Sequence, residues 1–351
     1  MMSTFSLSWK FSNSSSPFLF NILRPSSSSS SISTPTLRIP MAHSRSRSTR
    51  IAVVGDVHDD WDLEADAKAL HFLQPDLVLF TGDFGNENVE LVRSISELKM
   101  PKAVILGNHD CVFTRQFSQK VKDGVQLQLE CLGEDHVGYN RLDFPSLKLS
   151  VVGGRPFSHG GKQLCRKELL AMRYGVHNME ESAERIYAAS RGTPEDHFLI
   201  FLAHNGPTGL GSNMDDICGK DWVYGGGDHG DAGNQDLAQA LSRLKETTKY
   251  PMPLIVFGHM HKGLAYGGLR KMLVIGADGT MYLNGAIVPR VRYTGSGGSI
   301  RAFTVVEFAG SEVNKIAEAW VSLNNGDTVL EEESVLFKMG AEVRCHCDVT
   351  D

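Results

Sequence analysis

The stretch Pro253-Leu254-Ile255-Val256-Phe257-Gly258-His259-Met260-His261 decides how the rest of the chain is read. A continuous apolar run of this length reads as a strand, and the polar residues that end it place two imidazoles, one residue apart, where they can share a cleft. One such pair is weak ground for any function. The same grammar recurs four times upstream, however, always as a short apolar run that stops at glycine or at metal-type side chains. Ile51-Ala52-Val53-Val54 precedes Gly55-Asp56-Val57-His58, and Leu77-Val78-Leu79-Phe80 precedes Thr81-Gly82-Asp83. Ala103-Val104-Ile105-Leu106 precedes Gly107-Asn108-His109-Asp110, and Phe198-Leu199-Ile200-Phe201-Leu202 precedes Ala203-His204-Asn205-Gly206-Pro207. Five strands thus bring Asp, His and Asn to a common edge.

The intervals support parallel pairing. Asp83 lies 27 residues after Asp56 and Asn108 lies 25 after Asp83, each enough for one strand-helix-strand crossover. Leu63, Ala67 and Leu70 recur at helical spacing and predict a helix that stops before Gln74-Pro75; a second is expected from about Asn88 to Leu98, ended by Pro101. Strands alternating with helices argue for right-handed β-α-β units. The polar clusters then fall beyond the carboxyl ends of strands, where open α/β sheets place their clefts.

The ordered set D-x-H, GD, GNHD, H and GHMH, carried by Asp56, His58, Asp83, Asn108, His109, Asp110, His204, His259 and His261, resembles the calcineurin-like metallophosphoesterase superfamily, in a plant plastid or cyanobacterial-type branch. The resemblance covers roughly residues 50 to 270. It implies an α/β fold, a four-layer α-β-β-α sandwich of two mixed sheets, and a site for two divalent metal ions. By resemblance, Asp56, His58 and His261 hold the first metal, Asn108, His204 and His259 the second, and Asp83 bridges them. Carboxylates and imidazoles suit Mn, Fe, Zn or Mg, and two ions roughly 3.5–4 Å apart supply an attacking hydroxide and neutralise a phosphoryl group. Taken singly, His204 also reads as a buried histidine bonded to backbone and Asp83 as a helix cap. His109 is expected to protonate the leaving oxygen, with Asp110 as the group that orients it; the other reading of Asp110 is a capping carboxylate.

Protein serine/threonine phosphatases of this superfamily continue the second motif as GD-x-VDRG, whereas this chain reads Gly82-Asp83-Phe84-Gly85-Asn86-Glu87. The missing arginine favours small phosphate mono- or diesters over phosphoproteins. A protein phosphatase and a non-catalytic metal-binding interaction module are the alternatives. Arg155 is a candidate for substrate binding.

Outside the motifs, the first fifty residues hold no Asp or Glu, an unbroken Ser26 to Ser31 and recurrent Arg. This is the composition of a chloroplast transit peptide, expected over 1–48, with the stroma as destination; a disordered tail is the other reading. Setting those fifty residues aside leaves 29 of the 35 basic residues against all 41 acidic ones. Such an acidic chain is a poor partner for nucleic acid. No stretch is a credible membrane span. Six scattered cysteines without paired C-x-x-C spacing suggest neither a zinc ribbon nor a disulfide framework, and Cys345-His346-Cys347 reads as an incidental surface sequence. The phosphoesterase domain is expected over 49–325, with a helical insert at about 155–195 beside the metal cleft, read as a cap or equally as a plain packing helix, a Gly-rich acidic loop at about 206–233 and a C-terminal tail over 326–351. The strands predicted after His261 are expected to complete a second sheet. Oligomeric state is not legible.

Overall fold

The computed structural model describes residues 48–115, 121–222, 230–295, 297–324 and 327–340. The expected transit peptide, Cys345-His346-Cys347 and the centre of the Gly-rich loop lie outside the described residues. In chain order the elements are β1 (Ser48–Val54), α1 (Leu63–Leu73), β2 (Leu77–Phe80), α2 (Val89–Ser96), β3 (Lys102–Val104), α3 (Gly124–Leu132), β4 (Arg141–Phe144), β5 (Leu149–Gly153), α4 (Lys167–Tyr174), α5 (Met179–Ala189), β6 (Phe198–Leu202), α6 (Gln235–Thr247), β7 (Leu254–Phe257), β8 (Leu273–Ile275), β9 (Met281–Asn284), β10 (Val291–Tyr293), β11 (Ser299–Ala309), β12 (Glu312–Asn324) and β13 (Asp327–Lys338).

Two mixed sheets form. The first runs β13-β12-β11-β1-β2-β3, with β10 also paired to β11; the second runs β4-β5-β6-β7-β9-β8. In the first, β1, β2 and β3 are parallel; in the second, β5, β6, β7 and β9 are parallel. The near-continuous apolar runs follow from burial on both faces. Along β1, Ile51 and Val53 join Leu77, Leu79, Ile200, Leu202, Leu254 and Val256 in one apolar layer. The intervening Ala52, Val54, Val78, Phe80, Phe201 and Ile255 belong to the other layer, with the apolar faces of the helices. Strand periodicity of two therefore builds a sheet-on-sheet core and a helix-on-sheet core from one set of residues.

Helix starts obey local chemistry. Asp62, Asn88, Asp123 and Asn178 each accept a hydrogen bond from a first-turn amide of α1, α2, α3 and α5. The buried face of α1 is Asp66, Ala69, Leu70 and Leu73, a quarter-turn from the expected one. Asp66 is buried because Arg290 and Arg301 pair with it.

Three expectations need correction. The strands after His261 do not complete one sheet: β8 and β9 extend the second, while β11 to β13 pair on β1 in the first. The tail assigned to 326–351 begins with β13, antiparallel to β12. As a largely exposed edge strand, with Glu331-Glu332-Glu333 at its middle, it lacks the alternation that marks half-buried strands. The insert is two helices, since Gly175 ends α4 in a left-handed conformation. Its second helix, α5, packs on α6 and β5 as part of the helical layer, which is the packing reading and not the cap. Among the described residues no helix is long and apolar enough to cross a membrane.

His136, beside the end of β3, is buried with Nε2 lacking a partner, and burial pushes its imidazole down to about 4. Neutral when folded, it binds a proton more readily unfolded, so its stability contribution is intact above about 6.5 and declines as pH falls towards about 4, by up to roughly 1.4 kcal/mol per pH unit. Urea unfolding at pH 7 and pH 4.5 should therefore show a smaller loss of stability on acidification for His136→Leu than for the native chain.

Candidate metal centre

Every expected ligand lies just past the carboxyl end of β1, β2, β3, β6 or β7. Asp56, His58 and His261 offer donor atoms within 4.8 Å of one another, as do Asp83, His204 and His259, and as do His58, Asp83 and His109. Asp83 belongs to two of these groups. Asn108 joins through its Oδ1, 2.9 Å from His204 Nε2.

Backbone geometry makes the convergence possible. Asp56, His58, Asp83 and His259 all have positive φ, between 33° and 68°, a left-handed conformation that non-glycine residues adopt only when their surroundings enforce it. The enforcement is visible. His58 N donates to Asp83 O (2.8 Å) and Gly258 N to His204 O (2.8 Å), His259 N donates to both Asp56 oxygens (3.0 Å), and His109 N donates to Asp83 Oδ1 (2.8 Å). A Cβ on Gly107 would overlap Asp83 Oδ1 and His204 Cε1. Asn284 steadies the GHMH turn by donating to Met260 O at 2.6 Å.

The protonation pattern is paired. Burial opposes the charge on Asp83, but His204, 3.4 Å away, holds its carboxyl well below the usual carboxylate range. Burial likewise opposes charge on His204, and Asp83 overrides it, raising the imidazole to about 9. Burial and the His204 charge push His259 down to about 3. In the other group, burial is again outweighed: the hydrogen bond with His261 lowers Asp56, and Asp56 raises His261. Burial lowers His58. Each carboxylate thus faces one imidazole whose affinity for a proton is raised and one whose affinity is lowered.

These side chains fit divalent cations. His259 Nε2 is buried with no hydrogen-bond partner, an arrangement that costs free energy unless a Lewis acid or donor meets it. His204 donates its Nδ1 proton to Thr81 O at 2.7 Å, which orients the ring and turns Nε2 towards Asp83 and Asn108. His58 Nε2 and His261 Nε2 are 3.0 Å apart.

The segment 49–263 matches the family model for calcineurin-like phosphoesterases. The chain belongs to the calcineurin-like phosphoesterase family. It is a hydrolase acting on phosphoric ester bonds. Solved structures with a similar fold include a dimetal phosphatase from Danio rerio, 10% identical over 80% of this chain and 98% of that one, with a TM-score of 0.42. A Vps29 variant from Entamoeba histolytica is 13% identical over 82% and 100%, with a TM-score of 0.31. A predicted phosphoesterase from Streptococcus pneumoniae TIGR4 is 11% identical over 82% and 98%, with a TM-score of 0.30. A search of curated proteins found no match.

Two expected roles change in this phosphoesterase. Asp110 does not orient His109. The two are successive residues of a short 3-10 turn, His109–Cys111, in which neighbouring side chains diverge. Asp110 is buried and accepts from the amides of Asp83 (2.9 Å), Phe84 (2.9 Å) and Gly107 (2.7 Å). Burial and the charge of Asp83 push its carboxyl up to about 8, against the pull of amides including Gly107 and Phe84. The partner of His109 is Asn86, whose Oδ1 accepts from Nδ1 at 2.8 Å; nothing in its spacing marked it. Arg155 does not reach for substrate. It is buried in an ion pair with Asp236 (2.7 Å) and also donates to Asn234 (2.9 Å), because the residue two after β5 meets the start of α6.

Asp110→Asn would turn an amide donor towards backbone N–H groups and should destabilise the fold by about 1–3 kcal/mol, read in denaturant melts. Gly107→Ala should leave a folded protein with weakened metal affinity, read by competition with a chromogenic chelator.

Proposed function

We propose that this phosphoesterase depends on two divalent metal ions and hydrolyses phosphate mono- or diesters of small molecules, with His109 as the proton donor to the leaving oxygen. One observation carries the reading: seven metal-type side chains from five strand ends meet in one cluster that leaves His259 Nε2 buried and without a protein partner. Asp56, His58 and His261 would hold one cation, Asn108, His204 and His259 the other, and Asp83, common to both neighbourhoods, would serve the two. Mn, Fe and Zn suit this mix of imidazoles and carboxylates, and Mg suits its oxygens alone.

Bound divalent cations supply a water of lowered pKa and neutralise phosphoryl oxygens. The chain supplies the rest. Asn108 contributes an oxygen without charge, so two carboxylates leave the paired cations net positive and attractive to a phosphate dianion. Asn86 Oδ1 holds the His109 Nδ1 proton and leaves Nε2 to carry the second proton to the departing oxygen. His109 packs edge-on against His58, ring centres 5.1 Å apart, which keeps that proton beside the cluster.

The substrate is read as a small molecule because the arginine of the protein-phosphatase motif is replaced by the sequence at Phe84-Gly85-Asn86-Glu87. Residues 1–48 are read as directing the chain to the chloroplast stroma; a fluorescent fusion of that segment that stays in the cytosol would remove this placement.

Purified protein lacking that segment should cleave a generic aryl phosphate, lose activity to chelators and regain it with one of the four metals. His109→Ala should lower kcat by about 100-fold or more while metal content by elemental analysis stays constant. Unchanged turnover would remove His109 from the mechanism, and a metal-loaded chain inert towards every mono- and diester would favour a binding module.

A further inference from the structure

The acidic stretch that follows His204 is latched to the metal-ligand turn by one buried guanidinium. Arg270 is 3% exposed. Its Nε donates to His261 O (3.0 Å), and Nη1 reaches the carbonyls of Met214 (2.9 Å), Asp216 (2.8 Å) and Gly219 (2.6 Å). Nη2 donates to Asp221 Oδ1 (3.0 Å), and the other Asp221 oxygen accepts from Ala265 N (2.7 Å). A planar fork of five donors suits this convergence, and a lysine ammonium does not. Three chain segments are thereby locked in register with a candidate ligand. The next residue after Asp221 is Trp222, whose ring stands edge-on to His259 at 6.3 Å between centres and 89° between planes.

Trp222 is only half-buried. A large flat apolar ring, partly open to water and one ring from a candidate ligand, is placed to meet whatever hangs from a phosphoryl group bound there. The hairpin held by Asp221 adds exposed Tyr266 and Leu269. We propose that Trp222 is a specificity-determining residue that stacks on a planar aromatic leaving group of the phosphate ester, and that Arg270 and Asp221 are positioning residues that hold it against the metal centre. This rests on the dinuclear phosphoesterase reading above.

The test compares kcat/KM for matched esters, phenyl phosphate against butyl phosphate and a nucleoside 5′-monophosphate against ribose 5-phosphate. Stacking of this kind is worth about tenfold to hundredfold. Trp222→Leu should lower the planar-to-nonplanar ratio by about tenfold or more, and Trp222→Phe should retain most of it. Arg270→Lys should lower the same ratio; if that variant fails to fold, Asp221→Asn, which keeps an acceptor, replaces it. A readout without turnover is Trp emission during titration with Co or Cu ions. The native protein should be quenched as metal binds, and Trp222→Phe should lose that component with metal content unchanged. The aryl pair and the nucleoside pair separate the two sources of a planar group. A native protein that binds metal and hydrolyses esters, with the ratio unmoved in Trp222→Leu and the quench unmoved in Trp222→Phe, overturns the stacking role. A ratio unmoved in the latch variants overturns the positioning role. A native protein that neither binds metal nor cleaves any ester overturns the underlying reading instead.

Discussion

Two carboxylates with almost no access to water, Asp56 and Asp83, set the constraint that the rest of the structure meets. A buried carboxylate is tolerable only when cations or directed donors surround it. The chain surrounds each with an amide and with imidazoles shifted in opposite directions. That arrangement is stable enough to fold, and it also prepares the site for metal. Asp56, His58 and His261 would hold a divalent cation in one group and Asp83, His204 and His259 in the other, and binding there would compete with protons for the same imidazoles. The sandwich, with parallel strands from both sheets ending at one edge, is the scaffold that brings five loops close enough for this to happen.

The fold and most of this cluster were legible in the sequence for a common reason. A strand buried on both faces leaves an unbroken apolar run, and its end is marked where glycine and polar ligands interrupt it, so Asp56, Asp83, Asn108, His204 and His259 each announced a strand terminus. The helix start at Asn88 was equally readable. What escaped was whatever depends on contacts between distant segments. Strand β13 carries no alternation because it is largely exposed and only its end, at Leu336 and Phe337, packs on the core. Asp66 sits on a buried helix face only because Arg290 and Arg301 arrive from more than two hundred residues away.

The same distinction explains the misread side chains. Adjacency in sequence suggested that Asp110 serves His109, but a tight turn sends neighbours in different directions, and Asp110 instead gathers the amides that shape the loop around Asp83. Its influence on chemistry passes through that loop. Arg155 looked like an anion-binding arginine in an insert. Its partner Asp236 begins a helix eighty-one residues later, and together with Ser182 and Tyr139 they make a buried polar network joining insert, helix and sheet.

Four candidate ligand residues held in left-handed backbone carry a consequence for how this scaffold can vary. Each such residue stores on the order of 1 kcal/mol that a glycine at the same place would not. At positions 56 and 83 a glycine would leave the amides of His259 and His109 without their acceptor, so selection for heat tolerance alone would drift towards glycine only at 58 and 259, and a library sorted by melting temperature would be enriched in sequences that have silently lost those two imidazoles.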